Sequence, residues 1–122
     1  MSHKIYDMSF SKVYPMLVAK SERKDRSRAE VDQVTTWLTG YSSTAIEEAL
    51  SSEVSYGDFF RQAPALNPKR HLITGSICGV KLTEIKEPLM QDIRYLDKLV
   101  DELANGETYG KGNKKLSYLN SG

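Results

Sequence analysis

The sequence predicts a mainly α fold: a single small orthogonal bundle of five or six helices with a long C-terminal helix as its spine. Three observations carry that expectation. Leu89, Ile93, Leu96, Val100 and Leu103 recur at alternating steps of four and three, the spacing that lines up side chains along one helical face. Helix start signals, a Ser or Thr followed three residues later by Glu or Asp, recur at Ser27, Thr44 and Ser55. The 122 residues, 39% apolar and 27% charged, suit one domain able to bury a core without disulfides or metal. The segments between these signals differ widely in length, which favours orthogonal over parallel packing.

Taken in order, residues 3–8 are short and mixed, with Ile5 and Tyr6 as anchors, and read as extended chain or coil. From Ser9, the candidate N-cap, Phe10, Val13, Tyr14, Leu17 and Val18 share one face, so a helix is predicted to about Arg23. Pro15 lies inside it and removes a backbone hydrogen bond at a cost of ~3 kcal/mol, so a kink is expected there. Ser27 and Glu30 form a capping box that starts a second helix at Arg28, with Val31, Val34 and Leu38 inward and Gly40 as a left-handed cap. Thr44 with Glu47 starts a third through Ile46, Ala49, Leu50 and Val54. Ser55 with Asp58 leads into Phe59 and Phe60, an aromatic pair suited to plug a core, and Pro64 closes the run.

Asn67-Pro68 reads as an N-cap and first-turn proline, which predicts a helix over 68–78 with Leu72, Ile73, Ile77 and Cys78 inward and Gly79 as its cap. The competing pattern is two short strands, at 72–74 and 77–82, because Gly75 weakens a helix by ~1 kcal/mol. Pro88 then opens the long helix over 88–104, with Asn105 and Gly106 able to end it in the left-handed conformation. Residues 1–106 form the expected domain. Residues 107–122 are polar and glycine-rich without periodicity, and a mobile tail is expected there.

Composition excludes several classes of function. Seventeen Lys and Arg against sixteen Asp and Glu leave a net charge of +1, which gives no global attraction to nucleic acid or anionic membrane. One cysteine and two histidines leave no cluster at metal-ligand spacing, and no metal or cofactor is expected. No leader-like N-terminus and no apolar run of membrane-spanning length are present, so a cytoplasmic protein with no membrane partner is expected.

Four blocks of sequence resemble a bacterial family catalogued as domain of unknown function 2200: MSFSKVYPMLVAKSERK at 8–24, WLTGY at 37–41, LNPKRHLITGSICGVKL at 66–82 and EPLMQDIRYLDKLVDELANG at 87–106. They fall in the same order with little between them, and the resemblance covers the chain nearly to Gly106. It implies a mainly helical cytoplasmic bacterial protein and brings no activity, substrate, cofactor or catalytic residue with it.

Candidate sites are few. Cys78, with His71 seven residues upstream, is a possible nucleophile, but seven residues of helix rise about 10 Å, too far for a direct hydrogen bond. A small buried residue at a helix end is the plainer account. The segment Lys20, Arg23, Lys24, Arg26 and Arg28, opposed only by Glu22 and Asp25, is the candidate anion or nucleic-acid contact, with Lys69, Arg70 and His71 as possible additions. The two capped helices around Gly40 have a helix-turn-helix outline. However, the second carries Glu47 and Glu48, with Glu53 beyond, and no base-reading side chain, so a solvated loop is the plainer account.

The stripe Leu89, Ile93, Leu96, Val100 and Leu103 is the candidate interface for a second copy or a protein partner, although it spans barely two and a half heptads and suits an internal core better. Tyr95 and Leu99 widen that apolar face. The carboxylate pairs Asp97 with Asp101 and Glu84 with Glu87 read as surface charge rather than acid–base catalysts. Gly75 to Gly79 lacks the lysine of a phosphate-binding loop. The leading function is a non-enzymatic cytoplasmic interaction or assembly module, with a homodimer as one form. The alternatives are a nucleic-acid-associated protein acting through residues 20–28 and a small enzyme using Cys78.

Overall fold

The computed structural model describes residues 4–77 and 79–105 of the chain. Among them run six α-helices: α1 (Lys4–Asp7), α2 (Phe10–Glu22), α3 (Arg28–Thr39), α4 (Ser43–Leu50), α5 (Tyr56–Arg61) and α6 (Pro88–Ala104). Between α5 and α6 lie a 3₁₀ turn at Pro68–Leu72, the strands β1 (Ser76–Ile77) and β2 (Val80–Lys81), and a second 3₁₀ turn at Leu82–Glu84. No helix among the described residues is long and apolar enough to cross a membrane.

The long helix is the spine that the periodicity predicts. It packs against α2, α3, α5, β1 and the second 3₁₀ turn. Each fully buried leucine or isoleucine on its inner face removes apolar surface from water worth ~1.5–3 kcal/mol. Pro88 occupies its first turn as expected, whereas Asn105 caps it at φ −86 rather than in the left-handed region. Gly106 and the tail expected over 107–122 lie outside the described residues.

The start signals work as local chemistry requires. Ser27 Oγ accepts a hydrogen bond from Glu30 N at 3.2 Å while Glu30 Oε1 accepts from Ser27 N at 3.0 Å, which satisfies two otherwise orphaned amides. Gly40 ends α3 at φ +83, and a Cβ there would lie 2.8 Å from Ala65 Cβ. Ser55 Oγ accepts from Asp58 N at 3.1 Å and opens α5. Behind it, Phe59 stacks on Phe10 with centroids 4.0 Å apart and meets Phe60 edge-on, so the aromatic pair plugs the core between α2 and α5.

Three local expectations are corrected. Residues Lys4–Asp7 form a helical turn rather than coil, because Tyr6 is buried, donates its hydroxyl proton to Glu87 and lies under the Arg61 guanidinium. The helix expected from Ser9 through Pro15 is present and runs to Glu22, with Ser9 at its N-cap position but without a side-chain capping hydrogen bond. The third helix starts at Ser43 with Ser42, not Thr44, as its cap: Ser42 Oγ accepts from Ala45 N at 3.1 Å, and the helix ends at Leu50, before Val54.

The third correction is the largest. The helix expected over 68–78 is a five-residue 3₁₀ turn followed by a hairpin in which Ser76 faces Lys81 and Ile77 faces Val80. Asn67 does cap the turn, accepting from Lys69 N at 2.8 Å. Gly75 at φ +98 and Gly79 at φ +81 take conformations that no helix interior allows, and Leu82 N donates to Gly75 O at 2.9 Å to close the hairpin.

Candidate functional site

The stripe proposed as an interface is core instead. Ile93, Leu96, Val100 and Leu103 are each at most 1% exposed, with Leu89 packed beside them, and Tyr95 and Leu99 are buried on the same helix. Helical spacing gives the same pattern for a core-facing and a partner-facing seam, and here the domain's own helices cover it. Even the acidic residues Asp92 and Glu102 of α6 are buried.

The basic segment is largely neutralised by carboxylates of the fold. Lys20 Nζ lies 3.0 Å from Asp101 Oδ1, Arg26 is 3.9 Å from Glu30, and Arg28 pairs with Asp32 and Glu47. Only Arg23 and Lys24 of the five are exposed without an ion pair among the described residues. Arg70 is likewise engaged, by Asp92. Asp97 is bound by Arg94 at 2.8 Å, so the Asp97–Asp101 pair is divided between two cations. Cys78 lies outside the described residues. No group of three or more His, Cys, Asp or Glu side chains is placed to hold a metal ion among the described residues.

What the fold does build is an irregular segment, residues 68–81, held firmly on α6. Two backbone bonds, Ala65 N to Thr39 O at 3.0 Å and Asn67 N to Leu38 O at 2.9 Å, bring the chain along the end of α3 to its start. Arg70 Nε then donates to Asp92 Oδ1 at 2.9 Å and Arg70 Nη1 to Asn67 O at 3.0 Å, with both charged side chains at most 19% exposed. His71 Nδ1 lies 3.2 Å from the Tyr95 hydroxyl, and the two rings meet edge-on. Burial, and next the neighbouring Asp92 carboxylate, push the Tyr95 hydroxyl up, so it stays protonated as a hydrogen-bonding partner. Ile73 and Ile77 enter the core, and Gln91 Nε2 donates to Leu82 O at 3.0 Å behind the hairpin.

The outward side of this segment carries two large apolar side chains among the exposed polar residues Lys69, His71, Thr74, Ser76 and Lys81. Three large hydrophobic side chains are exposed among the described residues, and two belong to this segment: Leu72 at 59% and Val80 at 49%, with Met16 on α2 as the third. Leu72, expected inward, is exposed because the 3₁₀ turn ends there and the extended residue after it, Ile73, takes the inward place. Sequence reasoning missed Asp92 and Tyr95 as the anchors. The signal that identifies them is their spacing of three on one surface of α6, a neighbouring pair on any helix.

Comparison with known proteins places the chain by sequence and by fold. The sequence model of a family described as "Uncharacterized protein conserved in bacteria (DUF2200)" matches residues 4–113. A crystal structure of the uncharacterized protein SP1917 is similar to this chain at 52% sequence identity, with a TM-score of 0.88, over 98% of this chain and 95% of that one. No curated protein matches. The four sequence blocks lie within the matched span, and the match extends past the last of them. The chain therefore belongs to the bacterial family DUF2200.

Proposed function

We propose that this protein is a non-enzymatic assembly module of the bacterial cytoplasm that pairs with a second copy of itself through residues 68–81. The observation that carries this is the exposure of Leu72 and Val80 on a segment immobilised from behind. An irregular loop held by a largely buried ion pair gains little net stability from it, since desolvating Arg70 and Asp92 offsets much of their attraction. What the pair does supply is a fixed shape, and a pre-shaped surface binds with less entropy lost. Two apolar side chains on such a surface favour burial against a partner. The net charge of +1 sets no strong repulsion between copies. A single cysteine in the chain suits a reducing compartment.

Light scattering across a concentration series tests the pairing. The wild-type mass is expected to rise from 13.8 kDa toward twice that value, while Leu72→Ser combined with Val80→Ser stays at 13.8 kDa throughout. A wild-type protein that remains monomeric at the highest concentration, or a double variant that pairs as well as wild type, refutes it. Nucleic-acid association through residues 20–28 has less support, because three of its five cations already face carboxylates.

A further inference from the structure

A groove of about 220 Å³ lies between α4 and α5, lined by Tyr41, Ala49, Val54, Phe59 and the side chain of Glu48. Its aromatic wall is fixed in place. The Tyr41 ring stacks on Phe59 with centroids 4.2 Å apart, and the Tyr41 hydroxyl donates to Phe59 O at 2.7 Å. The groove holds roughly seven water volumes at ~30 Å³ each, below the ~300–1,000 Å³ of sites for drug-sized molecules. That size suits an aliphatic side chain.

Charge divides the chain beside this groove. From Ala29 to Phe60 every charged residue is acidic, namely Glu30, Asp32, Glu47, Glu48, Glu53 and Asp58, whereas from Arg61 to Thr83 every charged residue is basic, namely Arg61, Lys69, Arg70 and Lys81. Several are neutralised within the fold: Arg28 takes Asp32 and Glu47, Arg61 takes Asp58, and Asp92 takes Arg70. Glu48 in the groove, Glu53 between the groove residues Ser52 and Val54, and Lys81 on β2 are all exposed without an ion pair among the described residues.

We infer that the groove receives residues 68–81 of a second copy, with Leu72 and Val80 against Ala49, Val54 and Phe59 and with Lys81 facing Glu48 and Glu53. This occupant presupposes the self-pairing proposed above and supplies the surface that residues 68–81 meet. An apolar groove beside unpaired carboxylates favours a partner that brings apolar side chains and a cation together, and residues 68–81 carry both on one segment. Two such segments packed face to face would instead set Lys81 of each copy near its own duplicate, a like-charge contact. The two surfaces adjoin. Residues 63–67 lead from Gln62 at the groove to Pro68 along the end of α3, where Ala65 N donates to Thr39 O and Asn67 N to Leu38 O. A two-fold axis then lets each copy give its hairpin and receive the other's, which closes the assembly as a pair.

Charge-reversed chains test this by light scattering at a concentration where the wild type is paired. Glu48→Lys and Lys81→Glu, both at exposed positions that leave the fold intact, are each expected to weaken pairing about tenfold or more, because each sets like charges at both contacts of the pair. An equimolar mixture of the two variants is expected to regain wild-type pairing, since both contacts of the mixed pair again join opposite charges. Variants that pair as the wild type does, a mixture that stays at 13.8 kDa, or growth past twice that mass overturns the groove assignment. The two readings fail separately. A failed charge swap leaves pairing through residues 68–81 standing where Leu72→Ser with Val80→Ser still abolishes it, whereas a monomeric wild type removes both.

Discussion

Single residues in this chain act chiefly through backbone amides and buried charge. Ser27 caps α3 reciprocally with Glu30, and Ser27→Ala is expected to lower stability by about 1 kcal/mol in chemical denaturation. Gly40 bears a larger constraint. A side chain there must both hold φ +83 and push against the backbone of Ala65, 2.9 Å from the position of its Cβ. Gly40→Ala is therefore expected to cost more than about 1 kcal/mol, and an unchanged denaturation midpoint would contradict it. Asp97 titrates in an unusual direction for an ion-paired carboxylate. Burial pushes its carboxyl up more strongly than Arg94 and Lys20 pull it down. The native state then binds the extra proton, so this contribution to stability is present below the ordinary carboxylate value of ~3.9 and lost as pH rises through the raised one. Denaturation from pH 4 to 7 should show wild type losing ground to Asp97→Asn with rising pH; the opposite trend contradicts the assignment. At this scale the caps Ser27 and Ser55 are legible in sequence because a cap is a contact over three residues, whereas Ser42 is masked by the matching spacing of Thr44 with Glu47. The burial of Asp92 and Glu102 and the partial burial of Asp97 are not legible there, since they depend on which helices cover them.

At the scale of elements, helices with a strong apolar period and local punctuation emerge where the sequence places them. The bounds of α3 and α6 follow from the Ser27 box, Gly40 and Pro88. Where local signals conflict, tertiary packing decides. Residues 67–79 carry a helix-opening Asn-Pro and two glycines at positive φ, and the glycines prevail after a single 3₁₀ turn. Residues Lys4–Asp7 have no helical period, yet Tyr6 finds a place against α5 and α6 that fixes a turn. Pro15 is tolerated in α2 at a lasting expense: Pro15→Ala restores an amide to an exposed helix position and should raise stability on the order of 1 kcal/mol or more. For the segment on α6, removing one charge of the Arg70–Asp92 pair leaves the other largely buried and uncompensated. Arg70→Met is expected to cost about 2 kcal/mol or more, and adding Asp92→Leu should recover part of that loss. Additive losses in the double variant would contradict a coupled pair.

Across the whole molecule, the long helix commits its apolar face to the interior, which shifts the place where a partner can dock. A stripe of leucines at steps of three and four says that a helix has an inner face; it does not say whether this chain or another covers it. Two of the three exposed large hydrophobic side chains among the described residues lie on residues 68–81, which also hold the largest departure from the expected secondary structure. The two facts share a cause, because turning the 68–78 stretch out of a helix places Leu72 in solvent and Val80 across from Ile77. The groove between α4 and α5 is not legible in sequence either, since Tyr41, Ala49 and Phe59 meet only after the helices pack. The most direct test of the pairing surface is the backbone amide spectrum followed on dilution. Concentration-dependent shifts are expected over residues 70–81 and on the adjoining turn of α6 around Asp92 and Tyr95. A spectrum that does not change on dilution, or changes centred on another surface, would contradict it.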